Sequence, residues 1–344
     1  MALWMVRAGR HGEYEDRFLT DARIYLTWDT FNSDLRTVAS RAEVAQMLRE
    51  KWVNAAEGKV RNHAGQIWSF IRDMAVGDLV VVPSKQKREL HFGIIGSDTE
   101  YAADASSDYR HYREVRWLQD VPRSAMDKDI LYSLGAIMTI CQISRNDAEL
   151  RIRQMLKQAV PAPAPASQKH TAVPEPETAG PIDYEQLARD EIAALIMRRF
   201  KGHDLERLVD AILRAQGYVT YHSPTGADKG VDILAGSGPL GFASPKICVQ
   251  VKSEQSPVDH PTLSQLLGTM QAVGAEQGLL VSWGGFKSTV EREVPRNFFK
   301  VRIWDATALL DQLFEHYDRL DEEIRAELPL KRIWTVVPDE AESD

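Results

Sequence analysis

The sequence has few cysteines, no long apolar run and no excess of basic residues. Among its 344 residues only Cys141 and Cys248 are cysteines, and their separation fits neither a disulfide framework nor a zinc site. We therefore expect a reducing, cytoplasmic setting. No apolar run approaches the roughly 20 residues that span a bilayer, so we expect no membrane partner. The apolar stretch at the start, MALWMVRAGR, is shorter than a signal peptide requires.

The overall charge also limits the possible partners. A net charge of −8 argues against a protein that coats nucleic acid indiscriminately. A local basic cleft can coexist with an acidic exterior, so nucleic acid is not excluded as a substrate. Hydrophobic residues make up 44% of the chain, which is typical of a globular protein with an ordinary core.

A segment rich in alanine and proline divides the chain. Alternating Ala-Pro with few large apolar residues cannot build a core, which predicts an extended linker over residues 157–182. The linker separates an N-terminal domain, 1–156, from a second domain, 183–330, which is followed by an acidic tail, 331–344. At this length each domain is large enough to bury its own core.

The two domains differ in their predicted elements. The first mixes short strands and helices, and its segment ELHFGIIGSDTEY alternates like a strand of a small β-barrel. The stretch DILYSLGAIMTICQIS, 129–144, is predicted to be helical. The second begins with amphipathic helices, one of them HDLERLVDAILRAQG with Asp204 as its N-cap and Gly217 ending it. A three-strand meander and alternating helices and strands follow. We predict a mixed sheet flanked by helices, so the fold class is α/β (α+β).

One predicted hairpin, GVDILAGSGPLGFASPKICVQVKS at 230–253, carries candidate chemistry. Alternation along its second strand places Gln250 and Lys252 on one face, near Asp232 on the neighbouring strand. Two side-chain oxygens and the backbone carbonyl of Val251 form a set of hard oxygen donors, which Mg²⁺ prefers, with Mn²⁺ as a substitute. Lys252 would lie next to the attacking water. The loop GSGPLG fits a dinucleotide-binding pattern, but a strand follows it where that site needs a helix.

Two further acids and a histidine belong to this part of the sequence. Glu206 lies beside the apolar stripe of its helix, from which its carboxylate can lean over the sheet. Asp228, in the turn before the hairpin, is the nearest competitor of Asp232 for the metal. His203 is close in sequence to Glu206 but is expected at the surface. A solvated hairpin face without chemistry would produce the same short pattern.

The order Glu206, Asp232, Gln250-x-Lys252 resembles the Mrr-type branch of the PD-(D/E)xK restriction endonuclease superfamily, in which Gln commonly replaces an acid. The similarity covers about residues 200–315. It implies a restriction-endonuclease-like fold and a Mg²⁺-dependent DNA phosphodiesterase. It also implies Asp232 and Gln250 as metal ligands, Lys252 at the water and Glu206 as an accessory acid.

The stretch NHAGQIWSFIRDMAVGDLVVVPSKQKRELHFGIIG, 62–96, resembles the PUA-like group that includes EVE and YTH domains. The resemblance implies a pocket that holds an extruded, modified base between aromatic walls. For the tryptophans, ordinary core packing remains an equal alternative. The candidate walls are Trp28 and Trp68; the candidate edge contacts are Asn62, Gln66 and Ser84; the candidate phosphate contact is Lys85.

Together these resemblances predict a modified-base reader tethered to a nuclease. The expected function is modification-dependent restriction of foreign, for example phage, DNA, with modified cytosine among the possible targets. The expected partner is double-stranded DNA, and cutting both strands requires two active sites, hence a homodimer. The alternatives are a non-catalytic reader of modified DNA or RNA, and an RNA-cleaving nuclease of the same fold.

Overall fold

The computed structural model describes residues 1–27, 31, 33–136, 138–158, 183–224 and 230–335. The chain forms two compact units, one of them Met1–Leu187 with the described residue Thr335, the other Ala188–Trp334. Most of the predicted linker, from 159 to 182, lies outside the described residues, and helix α5 of the first unit continues to Gln158.

The first unit combines a seven-stranded sheet with helices. Its strands are β1 (Leu3–Val6), β2 (Arg23–Tyr25), β3 (Leu79–Pro83), β4 (Glu89–Ile95), β5 (Glu100–Tyr101), β6 (His111–Pro122) and β7 (Ile140–Gln142). Its helices are α1 (Glu15–Thr20), α2 (Arg41–Lys51), α3 (Glu57–Trp68), α4 (Lys128–Ser133) and α5 (Ala148–Gln158). A π-helical turn, Ser69–Asp73, continues α3.

The sheet of the first unit is curled into a half-barrel. Its strand order is β2-β6-β4-β3-β1-β7, and β5 pairs with β6. The long strand β6 pairs with β4 through its C-terminal part and with β2 and β5 near its N-terminal end, so it connects these short strands to the rest of the sheet. Buried apolar residues fill both faces, with α2 and α3 on one side and α4 and α5 on the other.

One predicted helix of this unit is wrong in its second half. Of the stretch 129–144, the first part lies in α4, but Ile140–Gln142 form strand β7, which pairs antiparallel with β1. Ile140 of this strand and the flanking Thr139 and Ile143 are β-branched, which favours a strand. Pairing with a strand more than 130 residues away outweighs the local helical pattern.

The second unit has a five-stranded mixed sheet covered by helices. Its strands are β8 (Val219–His222), β9 (Ile233–Ser237), β10 (Ala243–Lys252), β11 (Gln277–Ser282) and β12 (Val301–Trp304). Its helices are α6 (Tyr184–Arg199), α7 (His203–Ala215), α8 (His260–Val273), α9 (Ser288–Glu291), α10 (Ala306–His316) and α11 (Glu322–Glu327). The two halves of the sheet differ in direction, because β8, β9 and β10 form an antiparallel meander whereas β10, β11 and β12 are parallel.

Both faces of this sheet are buried, which fixes where its polar residues point. Val249 and Val251 pack with α6, α7 and α10, whereas Cys248 packs with α8 and α9 on the opposite face. Gln250 and Lys252, two and four residues from Cys248, therefore belong to the α8 face. This confirms the predicted fold class and the predicted division of side chains along β10.

Local signals around the hairpin are partly as predicted. The GSGPLG segment connects antiparallel strands β9 and β10, so it is a hairpin loop. Gly217, with φ +99°, follows the last turn of α7 as predicted. Asp204 is not the N-cap of α7: that position is Gly202, with φ 66°, and Asp204 lies in the first turn. Among the described helices none is both long and apolar enough to cross a bilayer.

Candidate nuclease active site

Asp232 lies at the open end of the β9–β10 ladder, immediately before β9. Its amide donates to the carbonyl of Val249 at 3.0 Å, and its Oδ2 accepts a hydrogen bond from the amide of Val251 at 2.6 Å. The carboxylate thus takes the place of a backbone carbonyl at the point where the regular ladder stops. This fixes one negative charge at the carboxyl end of β10.

Gln250 contributes a buried oxygen without a hydrogen-bond partner. The residue is 2% exposed, and its buried Oε1 has no hydrogen-bond partner within the described ranges. Asp232 is hydrogen-bonded to Val249 and Val251, the two neighbours of Gln250 on β10, so Gln250 lies next to Asp232 across the ladder. Leaving a buried acceptor unpaired costs about 1–3 kcal/mol, so such an atom is typical of a site that binds a ligand.

The backbone of Val251 points in the same direction. The Lys252 carbonyl accepts from the Trp283 amide at 2.9 Å, on the β11 side. Because carbonyls alternate along a strand, that of Val251 points to the β9 side, as does the Val249 carbonyl that accepts from Asp232. The carboxylate, the amide oxygen and this carbonyl therefore lie at one end of the sheet.

Lys252 is the last residue of β10 and is half-buried. Its side chain shares the α8 face with Gln250, two residues earlier. In the parallel pairing of β10 with β11, Lys252 lies beside Ser282, whose buried hydroxyl has no hydrogen-bond partner in the part of the chain that the structure describes. The structure thus brings Asp232, Gln250 and Lys252 to the same end of two adjacent strands.

Cys248 lies on the same face, and its surroundings favour the protonated thiol. Burial, and then the neighbouring negative charge of Asp232, raise the pKa of its thiol to about 11. The thiol is therefore protonated at neutral pH, which disfavours it as a nucleophile. Neither Cys141 nor Cys248 forms a disulfide within the part of the chain that the structure describes.

Glu206 is held between two histidines. It is 9% exposed; its Oε1 contacts His203 Nδ1 at 2.8 Å and its Oε2 contacts His222 Nε2 at 3.1 Å. His203 has a side chain that is 60% exposed, as predicted, but its ring is bound to Glu206. The next residue after His222, Ser223, donates its amide to the Asp232 carbonyl at 2.9 Å, so strand β8 links this group to the hairpin.

The donor set fits a divalent cation. A carboxylate, a buried amide oxygen in need of a partner and a backbone carbonyl are all hard oxygen donors, which suit Mg²⁺ or Mn²⁺ better than softer metals. Asp228, the competing acid, lies outside the described residues.

The predicted reader residues fall into two groups in the first unit. Asn62, Gln66 and Trp68 lie on α3. The Gln66 amide is occupied, because Oε1 accepts from the Ile140 amide at 2.9 Å and Nε2 contacts Asn62 Oδ1 at 3.4 Å. Trp68 packs against the core, with the Arg72 guanidinium 6.0 Å from its ring centre.

The second group lies in the loop after β3. The Ser84 hydroxyl donates to Glu15 Oε1 at 2.6 Å, and Lys85 Nζ lies 3.2 Å from Asp183 Oδ2. In this structure both side chains are engaged by acids of their own unit. Trp28 lies outside the described residues.

An ionic cluster around the buried His91 of the first unit was not predicted from the sequence. His91 Nε2 contacts Glu15 Oε1 at 3.2 Å, and Nδ1 contacts Asp120 Oδ1 at 2.7 Å. Burial acts to lower the pKa of His91, but the two carboxylates outweigh it and raise the pKa to about 9. Glu89, His91 and Asp120 have possible ligand atoms within 4.8 Å of one another. With its raised pKa, His91 is protonated at neutral pH, and each of its ring nitrogens already contacts a carboxylate. Glu15 and Asp120 are 76 and 29 positions from His91 in the sequence, so no local pattern indicates these contacts.

Comparison with known proteins identifies the second unit. Residues 197–313 match the family Mrr_cat, described as a restriction endonuclease, and the matched segment contains Glu206, Asp232, Gln250 and Lys252. The C-terminal part of the chain is therefore a restriction endonuclease domain. Residues 4–143 match DUF8426, a domain of unknown function, which assigns no activity to the first unit and leaves its PUA-like character a prediction. The search of curated proteins found no match.

Solved structures match at low similarity. The DNA modification-dependent restriction endonuclease AspBHI is 17% identical, over 89% of this chain and 78% of that one, with a TM-score of 0.34. The MspJI restriction endonuclease in complex with a 27-mer oligonucleotide is 12% identical, over 94% and 71%, with a TM-score of 0.33. The protein of unknown function AF1548 is 14% identical, over 36% and 77%, with a TM-score of 0.26. TM-scores of this size do not establish a common fold for whole chains.

Proposed function

We propose that the restriction endonuclease domain of this chain hydrolyses DNA phosphodiester bonds with Mg²⁺ held by Asp232, Gln250 and the Val251 carbonyl. One observation carries the proposal. The Asp232 carboxylate and the buried Oε1 of Gln250, which has no partner among the described residues, lie at the same end of the sheet, inside the segment that matches the endonuclease family. A bound divalent ion would supply positive charge at the scissile phosphate and lower the pKa of a bound water.

The residues of the chain have separate roles in this proposal. Asp232 fixes the position of negative charge at the carboxyl end of β10, because its own backbone and side chain are both tied to that strand. Lys252 presents an ammonium group beside the reacting phosphate, where it orients the attacking water and offsets the charge that develops during P–O cleavage. Glu206, fixed by two histidines, is the accessory acid.

The proposed biological role is modification-dependent restriction of foreign DNA in the cytoplasm. It is supported by the endonuclease family match and by the resemblance of residues 62–96 to PUA-like readers of extruded bases. The base pocket is proposed to use Trp28, Asn62, Gln66, Trp68, Ser84 and Lys85. Ser84 and Lys85 would have to exchange their contacts with Glu15 and Asp183 for contacts with the nucleic acid. A homodimer is proposed because each chain has one nuclease domain and duplex cleavage needs two cuts.

Plasmid digestion tests the proposal. The full chain is incubated with Mg²⁺ and with plasmid that carries methylated, hydroxymethylated or unmodified cytosine, and tRNA is included as a competing substrate. We expect linear product from a modified plasmid, no cleavage in EDTA and intact tRNA. Equal cleavage of all plasmids would contradict the proposed recognition of modified bases by the first unit. Binding without cleavage under every condition would favour a non-catalytic reader, and degraded tRNA would favour an RNA nuclease.

A further inference from the structure

A second unpaired oxygen lies beside the proposed nuclease site. Ser282 is 0% exposed, and its Oγ has no hydrogen-bond partner among the described residues. Burying a hydroxyl without a partner is unfavourable, and a serine in a strand has no packing advantage over alanine. The Ser282 hydroxyl is therefore available to form a hydrogen bond with a neighbouring side chain.

The strand pairing identifies which group can reach Ser282. In the parallel β10–β11 ladder Lys252 is paired with Ser282, and Gln250 with Leu280. Paired residues of adjacent strands point to the same face, so Ser282 shares the α8 face with Gln250 and Lys252. The backbone is fixed here, because the Lys252 carbonyl accepts from the Trp283 amide at 2.9 Å and the Ser282 carbonyl accepts from the Gly285 amide at 3.2 Å.

The chemistry of the two side chains is complementary. A lysine ammonium has three N–H donors and no acceptor, whereas a serine hydroxyl has lone pairs to accept. Because Ser282 is fully buried, it cannot touch a substrate and can act only through a neighbour. Lys252 is half-buried, so its long stem can keep the ammonium group between the buried hydroxyl and the exposed end of the sheet.

We propose that Ser282 is a positioning residue of the nuclease site, whose Oγ accepts a hydrogen bond from Lys252 Nζ when substrate phosphate is bound. The hydrogen bond fixes one of the three ammonium donors, so that the other two face the phosphate and the attacking water. This inference rests on the proposed function, and it adds a residue that lies outside the Glu, Asp, Gln-x-Lys pattern.

The same domain offers a matched control. Thr307, near the start of α10, also has a buried Oγ1 without a partner, but it is not on the strands that carry the site. If partnerless hydroxyls in this domain are only defects of packing, Ser282 and Thr307 should behave alike when the hydroxyl is removed. If Ser282 positions Lys252, removal should affect turnover at position 282 alone.

The test compares variants of the full chain in steady-state cleavage of an oligonucleotide duplex and in thermal unfolding. In Ser282→Ala and the near-isosteric Ser282→Cys we expect kcat to fall about tenfold, the worth of one ordinary hydrogen bond, with KM unchanged. Ser282→Thr, which keeps the hydroxyl, should recover most of the activity. Tm should be unchanged or higher in Ser282→Ala, because an unpaired buried group is removed. Thr307→Val should keep wild-type kcat.

The outcomes separate this inference from the function on which it rests. If wild type does not cleave in an Asp232-dependent manner, the proposed function fails. If wild type does so and Ser282→Ala keeps its full kcat, the positioning role is wrong. A loss of kcat that accompanies a lower Tm, in both Ser282→Ala and Ser282→Cys, would also overturn it, because it would show a structural role.

Discussion

Asp232 and Val251 are joined across the open end of the β9–β10 ladder by a 2.6 Å hydrogen bond from the Val251 amide to Asp232 Oδ2. One carboxylate oxygen thus serves the sheet, and the same group supplies the charge of the proposed metal site. Structural and chemical effects of a substitution at this position must therefore be separated by the choice of variant.

Asp232→Asn should separate them. An asparagine oxygen still accepts from the Val251 amide, but the negative charge is lost, so we expect kcat to fall on the order of 10³-fold with little change in Tm. Asp232→Ala should lose the same activity and also about 1–2 kcal/mol of stability, because the Val251 amide loses its acceptor. Cleavage assays and chemical denaturation measure the two effects. Retained activity in Asp232→Asn would show that cleavage does not require the negative charge of Asp232.

Gln250 should show opposite effects on stability and activity. Replacing it with leucine removes a buried, unpaired oxygen, so we expect equal or higher stability together with loss of Mg²⁺-dependent cleavage. Gln250→Glu keeps oxygen donors at the same position, and activity should persist. A fully active Gln250→Leu variant would show that the amide oxygen binds no metal.

The hairpin could be predicted from the sequence because its signals are local. Alternation along KICVQVK assigns the faces of β10, and the Gly- and Pro-containing loop marks the turn. The contacts of Glu206 could not be predicted, since His203 and His222 reach it from a helix turn and from a separate strand. Strand β7 was predicted to be helical for the same reason: its partner β1 lies at the other end of the domain sequence.

Glu206 provides a test of the accessory acid. Glu206→Gln keeps the shape but loses the charge that pairs with the two histidines. If Glu206 adds negative charge to the metal site, the Mg²⁺ concentration for half-maximal cleavage should rise about tenfold, while saturating Mg²⁺ restores the rate. His222→Ala, which leaves the acid in place, is the comparison. An unchanged Mg²⁺ requirement with a lower Tm would show that Glu206 only stabilises the fold.

The ionic cluster of the first unit predicts how stability depends on pH. The pKa of His91 is raised to about 9 from 6.5, so its contribution is complete below pH 6.5 and is lost as the pH rises through 9. The hydrogen bond to His91 lowers the pKa of Asp120. Burial acts to raise the pKa of Glu15, but the hydrogen bonds that Glu15 accepts outweigh burial, and its pKa is lowered. Their contributions are therefore lost as the pH falls below 4.

Chemical denaturation between pH 3 and pH 10 checks this dependence. Wild type should lose stability above about pH 7, and His91→Gln should be less stable at pH 6 by about 1–3 kcal/mol and lose the alkaline dependence. His11→Gln, at an exposed histidine of the same unit, is the control and should follow wild type. Identical alkaline profiles for wild type and His91→Gln would contradict the assignment.

Direct measurement of metal binding tests whether Asp232 and Gln250 hold a divalent cation. Mn²⁺, a substitute for Mg²⁺ with an electron paramagnetic resonance signal, is titrated into the full-length wild type and into Asp232→Asn and Gln250→Leu. We expect each substitution to remove the same single binding site from the wild-type stoichiometry while the fold is retained. Unchanged stoichiometry and affinity in both variants would contradict it.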